Sequence, residues 1–206
     1  MNKDSKKKEG IMKKFLKVMV LLTICFFMFT GIATAAEKVI KLDFSSFLPS
    51  THRGSICVEN WCKEVEKRTD GRIKINFHPG GTLTPGPQAY DSLVKGISDL
   101  ASSSLAYTRG RFHMFELLDL PLGLKTGFMA TKLSNDYYKQ FKPKEFDDVK
   151  ILFFSSHGPG IIHSKKAIRS LEDLKGQKIR CPGGTAVEII KSLGATPVAM
   201  PMNDTY

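Results

Sequence analysis

Arg180 has the sequence surroundings that best suit the binding of an anion. It stands in the stretch SLEDLKGQKIRCPGG, residues 170–184, just before a Cys-Pro-Gly-Gly turn. A guanidinium presents a rigid fork of N–H donors that matches the two oxygens of a carboxylate. The backbone N–H groups of Gly183, Gly184 and Thr185 add donors where a helix is expected to begin. The spacing alone leaves a salt bridge at the protein surface as an equal alternative.

The five histidines form no recognisable catalytic or metal-binding pattern. None falls in an H-E-x-x-H motif, and the chain has no G-x-S-x-G elbow, Walker loop or complete dinucleotide fingerprint. We therefore predict no catalytic residue, no metal and no cofactor. A secreted α/β enzyme stays open as an alternative, because catalytic groups can lie far apart in sequence. The histidines are His52, His78, His113, His157 and His163.

The first 35 residues have the composition of a secretory signal peptide. Seven lysines precede the apolar run 18–29, and Ala33-Thr34-Ala35 fits the small-x-small cleavage pattern. A membrane anchor is less favoured, because a bilayer span needs about 20 apolar residues. Without residues 1–35, which hold seven lysines and two acids, the net charge falls from +11 to +6. A scattered excess of that size suits attraction to anions but does not indicate nucleic-acid binding.

Three cysteines follow the predicted signal, so the thiols cannot all be paired with one another. Cys57 and Cys62 fall on one predicted helix, five residues apart, where about 140° separates their side chains. Cys181 belongs to no C-x-x-C motif. We expect free and mostly buried thiols.

The region from residue 38 to residue 107 alternates between strand and helix patterns. Strand patterns occupy 38–47, 72–79 and 99–107. Helices are expected between them, the first capped by Ser50 or Thr51 and burying Trp61 on its apolar face. This alternation is typical of a mostly parallel sheet with helices on its faces.

The patterns from residue 126 onward predict one more helix and then the elements of a second α/β unit. They comprise a helix at 126–141, strands at 149–156, 160–166 and 177–182, a helix at 185–194 and a strand at 195–201. The apolar run 149–156 is interpreted as a central strand because it is continuous rather than alternating. Ser170 and Asp173 have the spacing of a capping box, and Asn203 is expected to cap one more helix.

Three stretches of the sequence resemble the TRAP-transporter solute-binding proteins of the DctP type. Residues 170–206 contain a capped SLEDLKG segment, then KIR, the strand GATPVAMP and a tyrosine at the start of the next helix. The stretches LVKGISDLA (93–101) and FELLDLPLG (115–123) resemble two segments of the family's first domain. The matches occur in the family's order and cover most of residues 38–206.

This resemblance implies an α/β fold of the periplasmic-binding-protein type (type II), a two-domain flytrap with a hinge. Residues 1–35 would be the signal peptide, 36–146 the first domain with a connecting helix, and 147–206 a second domain truncated at its C-terminus. The receptor would capture a carboxylate-bearing organic acid in the periplasm and deliver it to TRAP membrane subunits. No stable membrane insertion is expected after signal cleavage.

The resemblance also implies which residues contact the ligand. Arg180 matches the arginine that holds the ligand carboxylate in the family. Tyr107 and His52 are candidate cleft residues of the first domain and Phe112 a candidate apolar wall, with ordinary packing as the alternative for each. Some members carry a second arginine near the position of Gly160, and its absence here favours a monocarboxylate or an acid with an apolar tail.

Two alternatives accompany this interpretation. His157 or His163 could replace the second arginine, although a lone histidine is more often structural. A sensor module that presents its ligand to a membrane kinase is an alternative to a transport receptor, beside the secreted enzyme.

Overall fold

The computed structural model describes Met12, residues 14–23 and residues 38–205, which divide into two compact units. In the N-terminal unit, residues 14–23 are helical and their side chains are exposed. Within the described residues, no helix is both long enough and apolar enough to cross a membrane. The end of the predicted apolar run and the predicted cleavage site lie outside the described residues.

The second unit, Val39–Tyr206, begins with a parallel three-stranded sheet of order β2-β1-β3. The strands are β1, Ile40–Ser46, β2, Ile73–His78, and β3, Leu100–Ser102. Phe44 of the middle strand lies opposite Phe77 and Leu100, and the two phenyl rings meet edge-on. The predicted alternation of strands and helices in this region is confirmed.

Helix α1, Arg53–Arg68, follows β1 and packs on β2. His52 caps it, because the ring Nδ1 accepts a hydrogen bond from the backbone N–H of Gly54 at 3.0 Å. The prediction of Ser50 or Thr51 as the cap is therefore wrong. An imidazole nitrogen can serve as the acceptor that the first helical N–H groups require.

Trp61 is only partly covered, contrary to the prediction that it belongs to the core. Its side chain is 42% exposed and meets the ring of Phe44 edge-on at 6.3 Å. The next residue, Cys62, takes the inward direction, and Ser55 is the other buried residue of α1. The helix thus approaches the sheet through small side chains, and the indole covers only the margin of this contact.

An aromatic core connects three helices: α2, Ala89–Val94; α3, His113–Glu116; and α4, Gly127–Phe141. Phe112 stacks on Phe146 with ring centroids 4.8 Å apart, and Phe115 stacks on Phe154 at 4.4 Å. Such pairs contribute about 0.5–1.5 kcal/mol beyond the area they bury. Residues before and after position 146 belong to this core. The predicted boundary between two domains at 146/147 stays a prediction.

Residues 149–156 do not form the predicted central strand, and 160–166 do not form the predicted short strand. Neither segment pairs with a strand among the described residues. Leu152 and Phe153 are 61% and 66% exposed. A continuous apolar run predicts a buried strand only where neighbouring strands are present to accept it.

Two polar side chains of α4 hold the backbone of this extended segment. Asn135 donates to the carbonyl of Phe154 at 2.8 Å and accepts from its N–H at 3.0 Å. Thr131 accepts from the N–H of Ser156 at 2.9 Å and donates to its carbonyl at 3.2 Å. Side chains thus take the place that a neighbouring strand would have in satisfying these backbone groups.

The second sheet is parallel and two-stranded, with β4, Lys178–Cys181, beside β5, Thr196–Ala199. Helix α5, Thr185–Ser192, connects the two strands and packs on them. The strands and helix predicted for residues 177–201 are confirmed. The buried residues of this layer are Leu174, Cys181, Ile190 and Ala195.

The predicted capping box is confirmed, although it precedes a 3-10 turn, Glu172–Leu174, rather than an α-helix. The carboxylate of Asp173 accepts hydrogen bonds from the N–H groups of Arg169 and Ser170 at 2.8 and 3.0 Å. These backbone hydrogen bonds hold the pKa of Asp173 below its usual value. The turn therefore fixes the entry into β4.

The cysteines of the described region are free, with Cys62 and Cys181 buried and Cys57 exposed. The prediction of free, mostly buried thiols is confirmed. Burial raises the pKa of the Cys62 thiol, which keeps it protonated and unreactive.

Candidate functional site

The loops at the carboxyl ends of the two sheets contact one another. In a parallel sheet, all strands end at the same edge, and α/β proteins bind ligands outside that edge. Here the loops after β1, β2 and β3 meet the loops after β4 and β5. Arg180, Tyr107 and Gly183, three of the predicted ligand contacts, lie at this junction.

Arg180 is half-buried near the end of β4, and a backbone carbonyl fixes its guanidinium. Its Nε and Nη2 donate to the carbonyl of Met200 at 3.1 and 2.8 Å. The N–H of Met200 donates in turn to the carbonyl of Cys181 at 3.0 Å, which ties the residue after β5 to the end of β4. Among the described residues, no carboxylate pairs with Arg180. Since a guanidinium has five N–H donors, those pointing away from Met200 can bind an anion.

Gly183 and Gly184 let the loop after β4 approach the first sheet's loops closely. Their φ angles are +119° and +57°. A Cβ atom on Gly183 would lie 2.8 Å from the carbonyl oxygen of Ala106, closer than such atoms pack. Only glycine combines this backbone conformation with this approach. Thr185, another predicted contact, follows as the first residue of α5, which has no side-chain cap.

Tyr107 belongs to the turn after β3 and contacts the segment after β5. Its hydroxyl oxygen accepts a hydrogen bond from the N–H of Met202 at 3.2 Å. Its ring meets Phe47 edge-on at 5.4 Å, and a Cβ on Gly86 would lie 2.7 Å from the ring. Tyr107 and Arg180 therefore bind the same short segment, one at Met202 and the other at Met200.

Asn203 is the junction residue that sequence reasoning missed. It was predicted to cap a further helix, but it lies inside a 3-10 turn, Met202–Asp204. Its side-chain amide donates to the carbonyls of Phe47 at 3.0 Å and Gly80 at 3.1 Å. A local pattern cannot reveal partners that lie 156 and 123 residues away.

An exposed ion pair also joins the loop after β3 to α5, the helix that packs on the second sheet. The guanidinium of Arg109, in the loop after β3, lies 3.3 Å from a carboxylate oxygen of Glu188 on α5. Both side chains are more than half exposed, so the pair contributes at most about 1 kcal/mol.

His52 and Phe112 have structural roles. His52 caps α1 through Nδ1, and no described hydrogen bond connects it with Arg180. Its proposed ligand contact stays a prediction. Phe112 is 1% exposed inside the aromatic core, in ring contact with Tyr90 and Phe146. The expectation that Phe112 forms an open apolar wall is corrected, because a ring enclosed in this way has no free face.

The predicted positions for a second clamp lie in residues 157–163, which form neither helix nor strand. Gly160 is exposed, with open space around it. His157 and His163 are also exposed, and Nδ1 of His157 lies 2.6 Å from the carbonyl oxygen of Gly158. Neither histidine is hydrogen-bonded to Arg180.

A surface groove of about 460 Å³ lies between α1 and β2. Its charged side chains already have partners, since Glu59 pairs with Lys63 at 2.7 Å and Glu66 with Lys74 at 3.6 Å. It contains none of the predicted ligand contacts. In the part of the chain that the structure describes, no three His, Cys, Asp or Glu side chains are grouped to hold a metal ion.

The known proteins that this chain resembles in sequence and in structure are solute-binding proteins. The model of the DctP family, described as bacterial extracellular solute-binding protein, family 7, matches residues 44–206. A TRAP periplasmic solute binding protein from Desulfovibrio salexigens is 37% identical with a TM-score of 0.68, over 81% of this chain and 52% of that one. A marine metagenome TRAP solute binding protein specific for aromatic acid ligands, in complex with 3-hydroxybenzoate, is 31% identical with a TM-score of 0.75, over 80% and 52%.

A solute-binding protein of Albidiferax ferrireducens is 29% identical over 157 residues, which is 72% of this chain and 45% of that protein. The chain spans about half the length of the curated relatives it matches. The similar solved structures are TRAP solute binding proteins, and the fold class predicted from the sequence is confirmed.

Proposed function

Because the chain belongs to the DctP family of TRAP-transporter solute-binding proteins, we propose that it captures a carboxylate-bearing organic acid and delivers it to TRAP membrane subunits. The family consists of extracytoplasmic receptors rather than enzymes. Arg180 would bind the carboxylate, and the surrounding junction would hold the rest of the acid.

The observation that supports this role is the state of the Arg180 guanidinium. It is oriented by the Met200 carbonyl, half-buried and without a carboxylate partner among the described residues. An arginine fixed along one edge loses little further freedom when its other donors bind a carboxylate. The backbone N–H groups of Gly183 and Gly184 stand three and four residues beyond it, just before α5.

We propose a monocarboxylate with an aromatic or apolar body as the ligand. A single arginine supplies one carboxylate clamp, and the family resemblance puts Gly160 near the position at which some members carry a second arginine. The edge-to-face pair of Phe47 and Tyr107 lies at the same junction and offers an apolar surface. The metagenome protein at 31% identity is specific for aromatic acids, which favours this class.

We further propose that residues 1–35 direct export and that the receptor acts in the periplasm. The lysine-rich leader and the small residues before Glu37 support export. The regions 36–146 and 147–206 would contribute the two lobes that enclose the acid, each with its own parallel sheet.

The test is a ligand screen on the full-length protein by thermal shift, followed by calorimetry. The panel contains benzoate, 3-hydroxybenzoate, succinate and uncharged benzamide. An acid at 100 times its dissociation constant stabilises the folded state by about 2.7 kcal/mol, which a melting curve detects. We expect stabilisation by the aromatic monocarboxylates and none by benzamide.

Variants then identify the clamp. Arg180→Ala should weaken binding by about 2–5 kcal/mol, and Arg180→Lys nearly as much because an ammonium lacks the fork geometry. Arg68→Ala, at an exposed ion pair on α1, is the matched control and should bind as the unmodified protein does. Unchanged affinity in Arg180→Ala would refute the assigned role.

A further inference from the structure

We propose that Asn203 is a positioning residue, which couples the contact between the two sheets to the orientation of Arg180. This inference rests on the carboxylate-binding role of Arg180 proposed above. Asn203 does not touch Arg180; it acts through the segment 200–203 that lies between them.

The direction of the Arg180 guanidinium depends on Met200. Both hydrogen bonds of the guanidinium go to one acceptor, the Met200 carbonyl, so the direction of the fork follows the direction of that carbonyl. Pro201 restricts Met200 to extended conformations. The carbonyl therefore moves with the whole segment rather than by a local rotation.

Three hydrogen bonds hold this segment at its far end. The amide of Asn203 donates one hydrogen bond to Phe47, which follows β1, and one to Gly80, which follows β2. The hydroxyl of Tyr107, which follows β3, accepts from Met202. The segment after β5 is thus tied to the loops after all three strands of the first sheet.

The two loops that carry the acceptor carbonyls are bonded to each other. The N–H of Gly80 donates to the carbonyl of Leu48 at 2.7 Å, and the N–H of Gly81 donates to the carbonyl of Ser46 at 2.8 Å. Both glycines have φ near +70°, at +70° and +74°, which turns the loop after β2 back toward the loop after β1. The carbonyls that receive the Asn203 amide are therefore held together before it binds them.

The chemistry of this contact requires an amide. The side-chain nitrogen of asparagine has two N–H donors, and each finds a carbonyl here. Aspartate has the same shape but no donor, and its charge would face two carbonyl oxygens. When the sheets are in contact, the segment is fixed and Arg180 has one direction; when Asn203 is released, that direction is lost.

The experiment follows the Arg180 Nε–H directly in the full-length protein labelled with ¹⁵N-arginine. Its resonance is assigned by its absence from Arg180→Lys. We expect its exchange with solvent to be at least fivefold faster in Asn203→Asp and in the milder Asn203→Ser. The control Asn60→Asp makes the same charge change on the exposed face of α1 and should leave the exchange rate unchanged.

The second readout is the affinity for 3-hydroxybenzoate. We expect Asn203→Asp to weaken it several-fold, and Arg180→Ala to weaken it much more. Unchanged exchange of the Arg180 Nε–H in a folded Asn203 variant overturns the inference, even if the melting temperature falls. If Asn203→Asp does not fold, Asn203→Ser decides. Unchanged affinity in Arg180→Ala would instead overturn the proposed function, and the exchange measurement would still test Asn203.

Discussion

The side chain of Asn135 should stabilise the protein by more than an ordinary surface asparagine of a helix does. It lies in the second half of α4 and forms two hydrogen bonds with the backbone of Phe154, as donor at 2.8 Å and as acceptor at 3.0 Å. Asn135→Ala removes both, together with a bond from the same amide to the Thr131 carbonyl of its own helix at 2.7 Å, and leaves the N–H and C=O of Phe154 without these partners. The side chain of Phe154 stacks on Phe115, so the loss also loosens one edge of the aromatic core.

The expected magnitude follows from those two bonds. Each net hydrogen bond contributes about 0.5–1.5 kcal/mol, which gives about 1–3 kcal/mol for the pair. Alanine has the higher helix propensity, by up to about 0.7 kcal/mol, which opposes part of this loss. Asn60→Ala on α1 measures that gain alone, since Asn60 is exposed there. The difference between the two variants is therefore the quantity to compare with 1–3 kcal/mol.

The assay is urea unfolding of the full-length protein, followed by circular dichroism, with the two variants measured beside the unmodified protein. We expect Asn60→Ala to unfold at the same or slightly higher urea concentration and Asn135→Ala at a lower one. Amide exchange at Phe154 should accelerate in Asn135→Ala alone. Equal free energies of unfolding in the two variants would refute the idea that α4 substitutes for a neighbouring strand.

Two further predictions concern backbone geometry and acid stability. Gly183→Ala should lower the melting temperature more than Gly176→Ala, because a Cβ on Gly183 would lie 2.8 Å from the Ala106 carbonyl oxygen and Gly176 has open space; equal losses would contradict the close approach. A hydrogen bond from His78 lowers the pKa of Asp43 below 3.8, so the stability it contributes is present above pH 3.8 and lost as the pH falls through the lowered value. Melting curves from pH 6 to pH 2.5 should therefore show a weaker acid dependence in Asp43→Asn, and an unchanged dependence would exclude this carboxylate as its source.

The alternating strands and helices could be predicted because each leaves a periodic pattern in its own residues. Period-two alternation located β1 and β2, and the capping-box spacing of Ser170 and Asp173 located the turn before β4. The apolar run 149–156 misled for a physical reason. An apolar run does not tell which groups will form hydrogen bonds with its backbone. A neighbouring strand can do so, and here the polar side chains of a helix do.

The site could be predicted only in part, because its parts come from distant stretches. Arg180 and Gly183 stand out by their strand-turn-helix context. Asn203 carries a side chain that also suits a helix cap, so its bonds to Phe47 and Gly80 are invisible until the two sheets are placed. Phe112 is the opposite case: an aromatic residue expected near the cleft lies in the core, because the rings of Tyr90 and Phe146 pack against it.

The sequence separation of these contacts has a consequence for the order in which the chain folds. Partners on β4 and β5 are 18 residues apart and partners on β1 and β2 are 33 apart, whereas Asn203 reaches Phe47 across 156 residues. Closing a longer loop costs more conformational entropy, and distant contacts form later. We therefore expect each sheet to assemble from its own neighbourhood first. The bonds of Asn203 would then be the last to form during folding and among the first to open in native-state exchange.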